Sequence, residues 1–124
     1  MIRIISIFML ILCLIASACS FFIPREKPDG NSLTLWMPGA SSVQVLSDWN
    51  DWGGSVSAGG IINPVSGRME RVDGGIWSLD ISWLPGGVYR YVFFVNGYKW
   101  TRDQSNPETA EYEGRIVSVV RVPD

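Results

Sequence analysis

From residue 32 onward, the chain alternates short apolar runs with turn residues. The runs are rich in Val, Ile, Trp, Tyr and Phe, and no stretch of helical length has a 3.6-residue apolar period. Asn96-Gly97 follows one run and is typical of a two-residue β-hairpin turn. Strands are predicted at residues 33–37, 42–46, 68–72, 76–82, 88–95, 98–101 and 115–122. This pattern favours an all-β sandwich of about seven strands.

The run at residues 88–95 is largely apolar on both faces. Tyr91 and Phe93 point to one face of a strand, whereas Val92 and Phe94 point to the other. One face belongs in the core of a sandwich. The other must therefore be covered by something else or form an exposed functional patch.

The start of the chain has the composition of an export signal. Residues 4–23 are an unbroken run of apolar or small side chains after one basic residue, Arg3. Residues 15–19, Ile-Ala-Ser-Ala-Cys, resemble the bacterial lipobox, which implies cleavage before Cys19 and acylation of its sulfur. Cys13 would leave with the signal, so the mature domain would have no thiol for a disulfide.

The predicted organisation has three parts. They are a lipoprotein signal peptide at residues 1–18, a lipidated N-terminus and polar linker at residues 19–31, and a single domain at residues 32–124. The alternative is an uncleaved membrane anchor, because residues 4–23 are just long enough to span a bilayer. Both interpretations place the domain outside the cytoplasm, tethered to a membrane of the bacterial cell envelope and facing the periplasm or the surface.

Charge and residue types argue against several classes of function. The formal net charge is −2 and becomes −3 when the signal, with Arg3, is removed, so nucleic acid is not expected as a partner. The chain has no histidine, and its serines lack an obvious general base, so we predict no enzyme activity. Asp48 and Asp51 are a poor pair for glycoside hydrolysis because a small sandwich offers no deep cleft. No metal site and no cofactor are predicted.

Two segments are predicted to be loops. Residues 53–67 have no charge and are rich in Gly, Ser and Ala, which is typical of a long mobile loop. Residues 103–113 contain clustered acidic side chains and are predicted to form a solvated loop.

Several motifs, taken in order, resemble the family-48 carbohydrate-binding module, which includes the glycogen-binding domain of AMP-activated protein kinase β-subunits. They are Leu-Trp-Met-Pro-Gly-Ala at 35–40, Val-Gln-Val-Leu at 43–46, Ser-Asp-Trp-Asn-Asp-Trp at 47–52, Gly-Ile-Trp at 75–77, the stretch 84–103 and Asn-Pro at 106–107. The resemblance spans about residues 33–122. It implies an early-set immunoglobulin-like sandwich that binds α-1,4-linked glucan.

The resemblance also implies a site. Trp52 and Trp100 match the two tryptophans on which the family stacks sugar rings, because a sugar has an apolar C–H face that packs on an indole. For each of the two, packing in the core or in a loop is the alternative. Trp49 matches an aromatic residue that packs inward. The remaining tryptophans are predicted to be core or strand-face residues; they are Trp36, Trp77 and Trp83.

This chain departs from the family at two polar contacts. Val92 and Val117 stand where glycogen-binding members have a lysine and an asparagine. Valine cannot hydrogen-bond a hydroxyl, so the polar contacts would come from neighbours instead. The candidates are Lys99, Asn50, Arg90 and Arg115.

Two hypotheses therefore remain open. In one, the chain is a non-catalytic lipoprotein that binds glycogen-like or starch-like glucan through Trp52 and Trp100. In the other, the same fold is a structural or interaction module, and an apolar surface of Val92, Phe94 and Val117 contacts a protein partner.

Overall fold

A computed structural model of the chain describes residues 28–124 and contains two packed β-sheets. The predicted signal peptide and Cys19 lie outside the described residues. The strands are β1 (Ser32–Trp36), β2 (Val43–Ser47), β3 (Glu70–Asp73), β4 (Ile76–Asp80), β5 (Gly87–Val95), β6 (Lys99–Thr101), β7 (Thr109–Tyr112) and β8 (Arg115–Val122). The expected all-β sandwich is confirmed. No membrane-spanning helix is found in this part of the chain.

The two sheets are antiparallel and of unequal size. The smaller has the strand order β1-β4-β3, and the larger has the order β2-β5-β8-β7, with β6 also paired to β5. Strand β5 is central because β2 pairs along its second half, while β8 and then β6 pair along its other edge. Long runs of β-branched and aromatic residues favour such a strand, because both of its faces are covered.

The core between the sheets contains the inward-facing residues of both. Leu33 of β1 and Trp77 of β4 face Tyr91 and Phe93 of β5. Trp49 packs against this core and meets Tyr89 edge-to-face with ring centroids 5.7 Å apart, which confirms its predicted inward position. Alternation along each strand thus places one face of β5 in the core, as the sequence pattern indicated.

Two of the other tryptophans also match the prediction, and one does not. Trp77 is buried, and its Nε1 donates a hydrogen bond to the Met37 carbonyl oxygen at 3.0 Å. Trp36 lies on the outer face of β1 and is 47% exposed. The prediction was wrong for Trp83, which is 64% exposed in the turn after β4, where its Nε1 donates to the Asp80 carbonyl oxygen at 2.9 Å.

The predicted solvated loop at residues 103–113 was wrong. Thr109–Tyr112 forms β7, which pairs with β8, and the fold has eight strands rather than seven within the described residues. Asp103 and Asn106 are buried, 2% and 1% exposed. Their side chains are part of a polar network inside the sandwich, so the acidity of this segment does not indicate solvation.

This network is centred on the Tyr91 hydroxyl. The hydroxyl donates to Asp103 Oδ2 at 2.6 Å and accepts from Asn106 Nδ2 at 3.0 Å. Burial, together with the nearby Asp103 carboxylate, raises the pKa of Tyr91, so the hydroxyl remains a donor at all ordinary pH values. The network attaches the segment between β6 and β7 to the core.

Removing the Tyr91 hydroxyl should destabilise the fold. We expect Tyr91→Phe to lower the free energy of unfolding by about 1–3 kcal/mol, because a buried carboxylate loses a donor. Tyr89→Phe is the matched control, since that hydroxyl donates to the Pro85 carbonyl oxygen at the surface and should matter by less than about 1 kcal/mol. Urea denaturation of the two variants measures the difference, and equal effects would contradict a structural role for the network.

Candidate functional site

The outer face of the larger sheet is apolar and is covered by the chain itself. Leu46, Val92 and Val117 lie on it and are fully buried. The covering side chains are Trp52 and, partly, Ile62, from the segment that follows β2. The second apolar face of β5 is thus covered by a hydrophobic cluster that is separate from the main core.

The backbone before this segment turns sharply to bring Trp52 onto the sheet. After β2, a single 3₁₀ turn (Asp48–Asn50) is followed by four consecutive residues with positive φ: Asp51 at 57°, Trp52 at 52°, Gly53 at 74° and Gly54 at 78°. Glycine is favoured at residue 53 because φ is 74° and because a Cβ there would also lie 2.7 Å from Leu46 Cδ2. A left-handed conformation at a residue as large as tryptophan is uncommon and is a mark of strain held by its surroundings.

The Asn50 side chain holds this turn. Its Oδ1 accepts hydrogen bonds from the backbone N–H groups of Ser47 and Gly53, each at 3.0 Å, and its Nδ2 donates to the Val45 carbonyl oxygen at 2.8 Å. The amide group is therefore engaged with the backbone on both sides. In this arrangement, the Asn50 amide holds the turn that carries Trp52, and its role as a ligand contact stays a prediction.

Three aromatic rings meet on the outer face, and we call Trp52, Trp100 and Tyr112 the aromatic cluster. Trp52 and Tyr112 are stacked, with ring centroids 3.9 Å apart and an interplanar angle of 12°. Trp52 and Trp100 are also nearly parallel, at 6.0 Å and 10°. Trp52 is only 4% exposed, whereas Trp100 and Tyr112 are half-buried.

The strand pairing explains why these rings meet. Trp100 of β6 is opposite Phe94 of β5 and shares its outward direction. Tyr112 is opposite Arg115 across the β7–β8 hairpin, on the same side of the sheet. The structure thus brings the predicted pair Trp52 and Trp100 together and adds a third ring from β7.

Two arginines lie over the aromatic cluster. Arg90 Cζ is 5.3 Å from the Tyr112 ring centroid, and Arg115 Cζ is 4.6 Å from that of Trp100. Both distances are within the range of a cation–π interaction. Arg115 makes no hydrogen bond or ion pair with any residue among those described, so Trp100 is the contact that holds its guanidinium.

Arg90, in contrast, is fixed by Asp48 and by the backbone. Its Nε and Nη2 donate to the Asp48 carboxylate at 3.1 and 2.9 Å, and its Nη1 donates to the Glu111 carbonyl oxygen at 3.0 Å. Burial opposes ionisation of Asp48, but the bonds from Arg90 outweigh it and lower the pKa of the carboxyl below its ordinary value of 3.8. The pair is therefore charged at neutral pH and connects the start of the Trp52 turn to β7.

The other carboxylate near Trp52 has its own partner. Asp51 Oδ2 accepts hydrogen bonds from the Ser57 backbone N–H at 3.0 Å and from the Ser57 hydroxyl at 2.6 Å. Asp48 and Asp51 thus brace the loop. Within residues 28–124, no group of three or more His, Cys, Asp or Glu side chains could hold a metal ion.

One predicted contact, Lys99, lies away from the rings, and one residue of the aromatic cluster, Tyr112, was not predicted. Lys99 is exposed and pairs with Val95, so its side chain leaves the backbone on the opposite side of β6 from that of Trp100. Its role as a ligand contact stays a prediction. Tyr112 was not predicted, although the alternation of Ala110 and Tyr112 between turn residues is the signal that would have placed it on a strand face.

The apolar surface proposed for a protein partner is not present. Val92 and Val117 have no exposed area, and Phe94 is half-buried against the same cluster. The surface available to a ligand on this face consists instead of Trp100, Tyr112 and the arginines. The interaction hypothesis would need a different surface.

The chain is similar to glucan-processing enzymes. It is 36% identical over 102 residues to the 1,4-alpha-glucan branching enzyme GlgB of Nitrosomonas eutropha, a match that covers 82% of the chain. It is 34% identical over 95 residues, or 73% of the chain, to the GlgB of Halothermothrix orenii. The chain spans only 13% of the length of each enzyme. No protein-family profile matches it.

Proposed function

We propose that this protein is a non-catalytic, glucan-binding lipoprotein of the cell envelope. The observation that supports the proposal best is the nearly parallel pair of indoles, Trp52 and Trp100, on the outer face of a domain similar to part of two 1,4-alpha-glucan branching enzymes. Trp100 is half-buried, and Trp52 is covered by Tyr112, so a sugar would reach Trp52 only when Tyr112 moves. Indole faces suit an α-1,4-linked glucan, because each of its sugar rings has an apolar face for stacking.

The polar contacts of the proposed site come from its margin. Val92 and Val117 are buried beneath Trp52, so hydroxyl groups would be bound by long side chains that reach over the rings. Arg115 is placed for this role because its guanidinium lies over Trp100 and has no other described partner. Lys99 is the second candidate donor: it precedes Trp100 on β6, its side chain is exposed, and it would have to reach around the strand edge to the rings.

Glucan binding can be measured by affinity electrophoresis of the detergent-solubilised full chain in gels that contain glycogen or amylose. We expect the protein to be retarded, and Trp100→Ala to weaken this retardation about tenfold through the loss of one stacking ring. Trp83→Ala is the matched control, because it removes an exposed tryptophan elsewhere and should change nothing. Trp52→Phe, which keeps the buried ring, should have a smaller effect than Trp52→Ala.

Unretarded migration of the folded protein would eliminate glucan binding and leave the protein-interaction hypothesis. Retardation that survives both Trp52→Ala and Trp100→Ala would show that the glucan binds at another surface.

The lipid anchor is the second part of the proposal, and it rests on the lipobox-like residues 15–19. In cells grown with labelled palmitate, the full chain should incorporate label, and Cys19→Ala should abolish it. Cys13→Ala is the matched control and should incorporate label normally, since that cysteine lies within the predicted signal peptide. Absence of label in the unaltered chain would contradict lipidation and favour the uncleaved anchor.

A further inference from the structure

The ring faces of the proposed site are occupied by residues of one hairpin turn. Tyr112 and Arg115 are cross-strand partners on either side of the two-residue turn Glu113-Gly114, which joins β7 to β8. Both turn residues have positive φ, 47° and 77°, as a type I′ turn requires. The last pair of residues in the hairpin therefore projects towards the aromatic cluster as a unit.

Each member of this pair covers one tryptophan. The Tyr112 ring is stacked on Trp52 at 3.9 Å, which is contact distance for parallel rings, and the Arg115 guanidinium lies 4.6 Å from the centroid of Trp100. A sugar ring that stacks on an indole needs the same space over the same face. Tyr112 and a sugar therefore cannot use that face of Trp52 at the same time, and the same holds for Arg115 and a sugar that takes its face of Trp100.

The covering contacts are of a kind that a ligand can replace. Within residues 28–124, no hydrogen bond or ion pair holds the side chains of Tyr112 and Arg115 in place. Their contacts with the indoles are stacking and cation–π interactions, which a sugar ring and its hydroxyl groups would substitute. Tyr112 also loses its cation–π contact with Arg90 when it moves, but the hydrogen bond from Arg90 goes to the backbone of Glu111, not to the Tyr112 side chain. Further along the hairpin, Ala110 pairs with Val117 and Thr109 with Ser118, so the strands can stay paired while the Tyr112 and Arg115 side chains move.

We propose that Tyr112 and Arg115 act as internal competitors for the glucan and thereby set the affinity of the site. This inference rests on the function proposed above. In the free protein, the hairpin tip covers Trp52 and Trp100; when glucan binds, the tip moves aside and the Arg115 guanidinium becomes available to donate to sugar hydroxyls. The apparent dissociation constant is then the intrinsic constant divided by the fraction of molecules with an open tip.

The test is isothermal titration calorimetry, in which maltoheptaose, a linear α-1,4-glucan, is titrated into the detergent-solubilised full chain and its variants. Tyr112→Ala should bind about fivefold more tightly, which is the gain from removing one stacking competitor of ordinary strength. Tyr112→Phe is the matched control because it keeps the ring, and it should bind within about twofold of the unaltered chain. Tyr112→Thr, with a side chain suited to a strand, replaces the alanine variant if that variant does not fold.

The inference requires that the Tyr112→Ala and Tyr112→Thr variants bind maltoheptaose more tightly than the unaltered chain. Weaker binding by Tyr112→Ala and Tyr112→Thr would overturn the inference, because it would make Tyr112 a surface on which the sugar stacks. Unchanged binding would overturn it as well, since a competitor cannot be removed without effect.

A measurement without ligand separates this inference from the proposed function. Acrylamide quenching of tryptophan fluorescence should be stronger in Tyr112→Ala than in Tyr112→Phe, because the uncovered Trp52 becomes accessible. Equal quenching would mean that Tyr112 does not cover Trp52, and would overturn the inference whatever binds. Increased quenching with no maltoheptaose binding by any variant would instead show that the proposed glucan function has failed.

Discussion

The packing of the Trp52 indole on the outer face of the larger sheet is the interaction on which the site depends. Burial of one tryptophan side chain removes about 200 Å² of surface from water, which stabilises the fold by about 4–6 kcal/mol. The left-handed conformations of Asp51 and Trp52 cost about 1–2 kcal/mol each. Burial therefore exceeds the backbone strain, and the unusual turn is maintained by the contact that it makes possible.

The same contact explains the two valines that depart from the resembled family. A lysine at residue 92 or an asparagine at residue 117 would lie beneath the Trp52 ring. A neutral polar group without a partner costs about 1–3 kcal/mol there, and a charged group costs more. Val92 and Val117 have no exposed area and complete the packing under the indole. These two positions are apolar because they pack against the buried Trp52, and they do not form an exposed surface for another protein.

Much of the fold could be predicted from residue pattern, because local alternation and turn chemistry specify strands that are long and apolar. Residues 115–122 form a strand with the expected bounds, and the Asn96-Gly97 turn follows β5 as expected. Strand β7 was missed, because its alternation of Ala110 and Tyr112 is short and was outweighed by the acidic residues around it. Its segment is acidic, and the burial of Asp103 and Asn106 depends on a hydrogen-bonding partner, Tyr91, that is distant in sequence.

The site, like the fold, could be predicted from the sequence only in part. The sequence resemblance indicated Trp52 and Trp100, and the structure brings them together. That Trp52 is covered depends on φ values at residues 51–54 and on the register of β7 with β8, neither of which side-chain pattern specifies. The alternation of Ala110 and Tyr112 could place Tyr112 on a strand face, but its position over Trp52 follows only from that register.

A crystal structure of the protein with maltoheptaose is the most direct test of whether glucan and Tyr112 compete for Trp52. We expect a sugar ring to occupy the face of Trp52 that Tyr112 holds at 3.9 Å in the free protein, with the Tyr112 side chain displaced and the indole in place. A complex in which Tyr112 stays stacked on Trp52 while the glucan binds elsewhere would contradict the account.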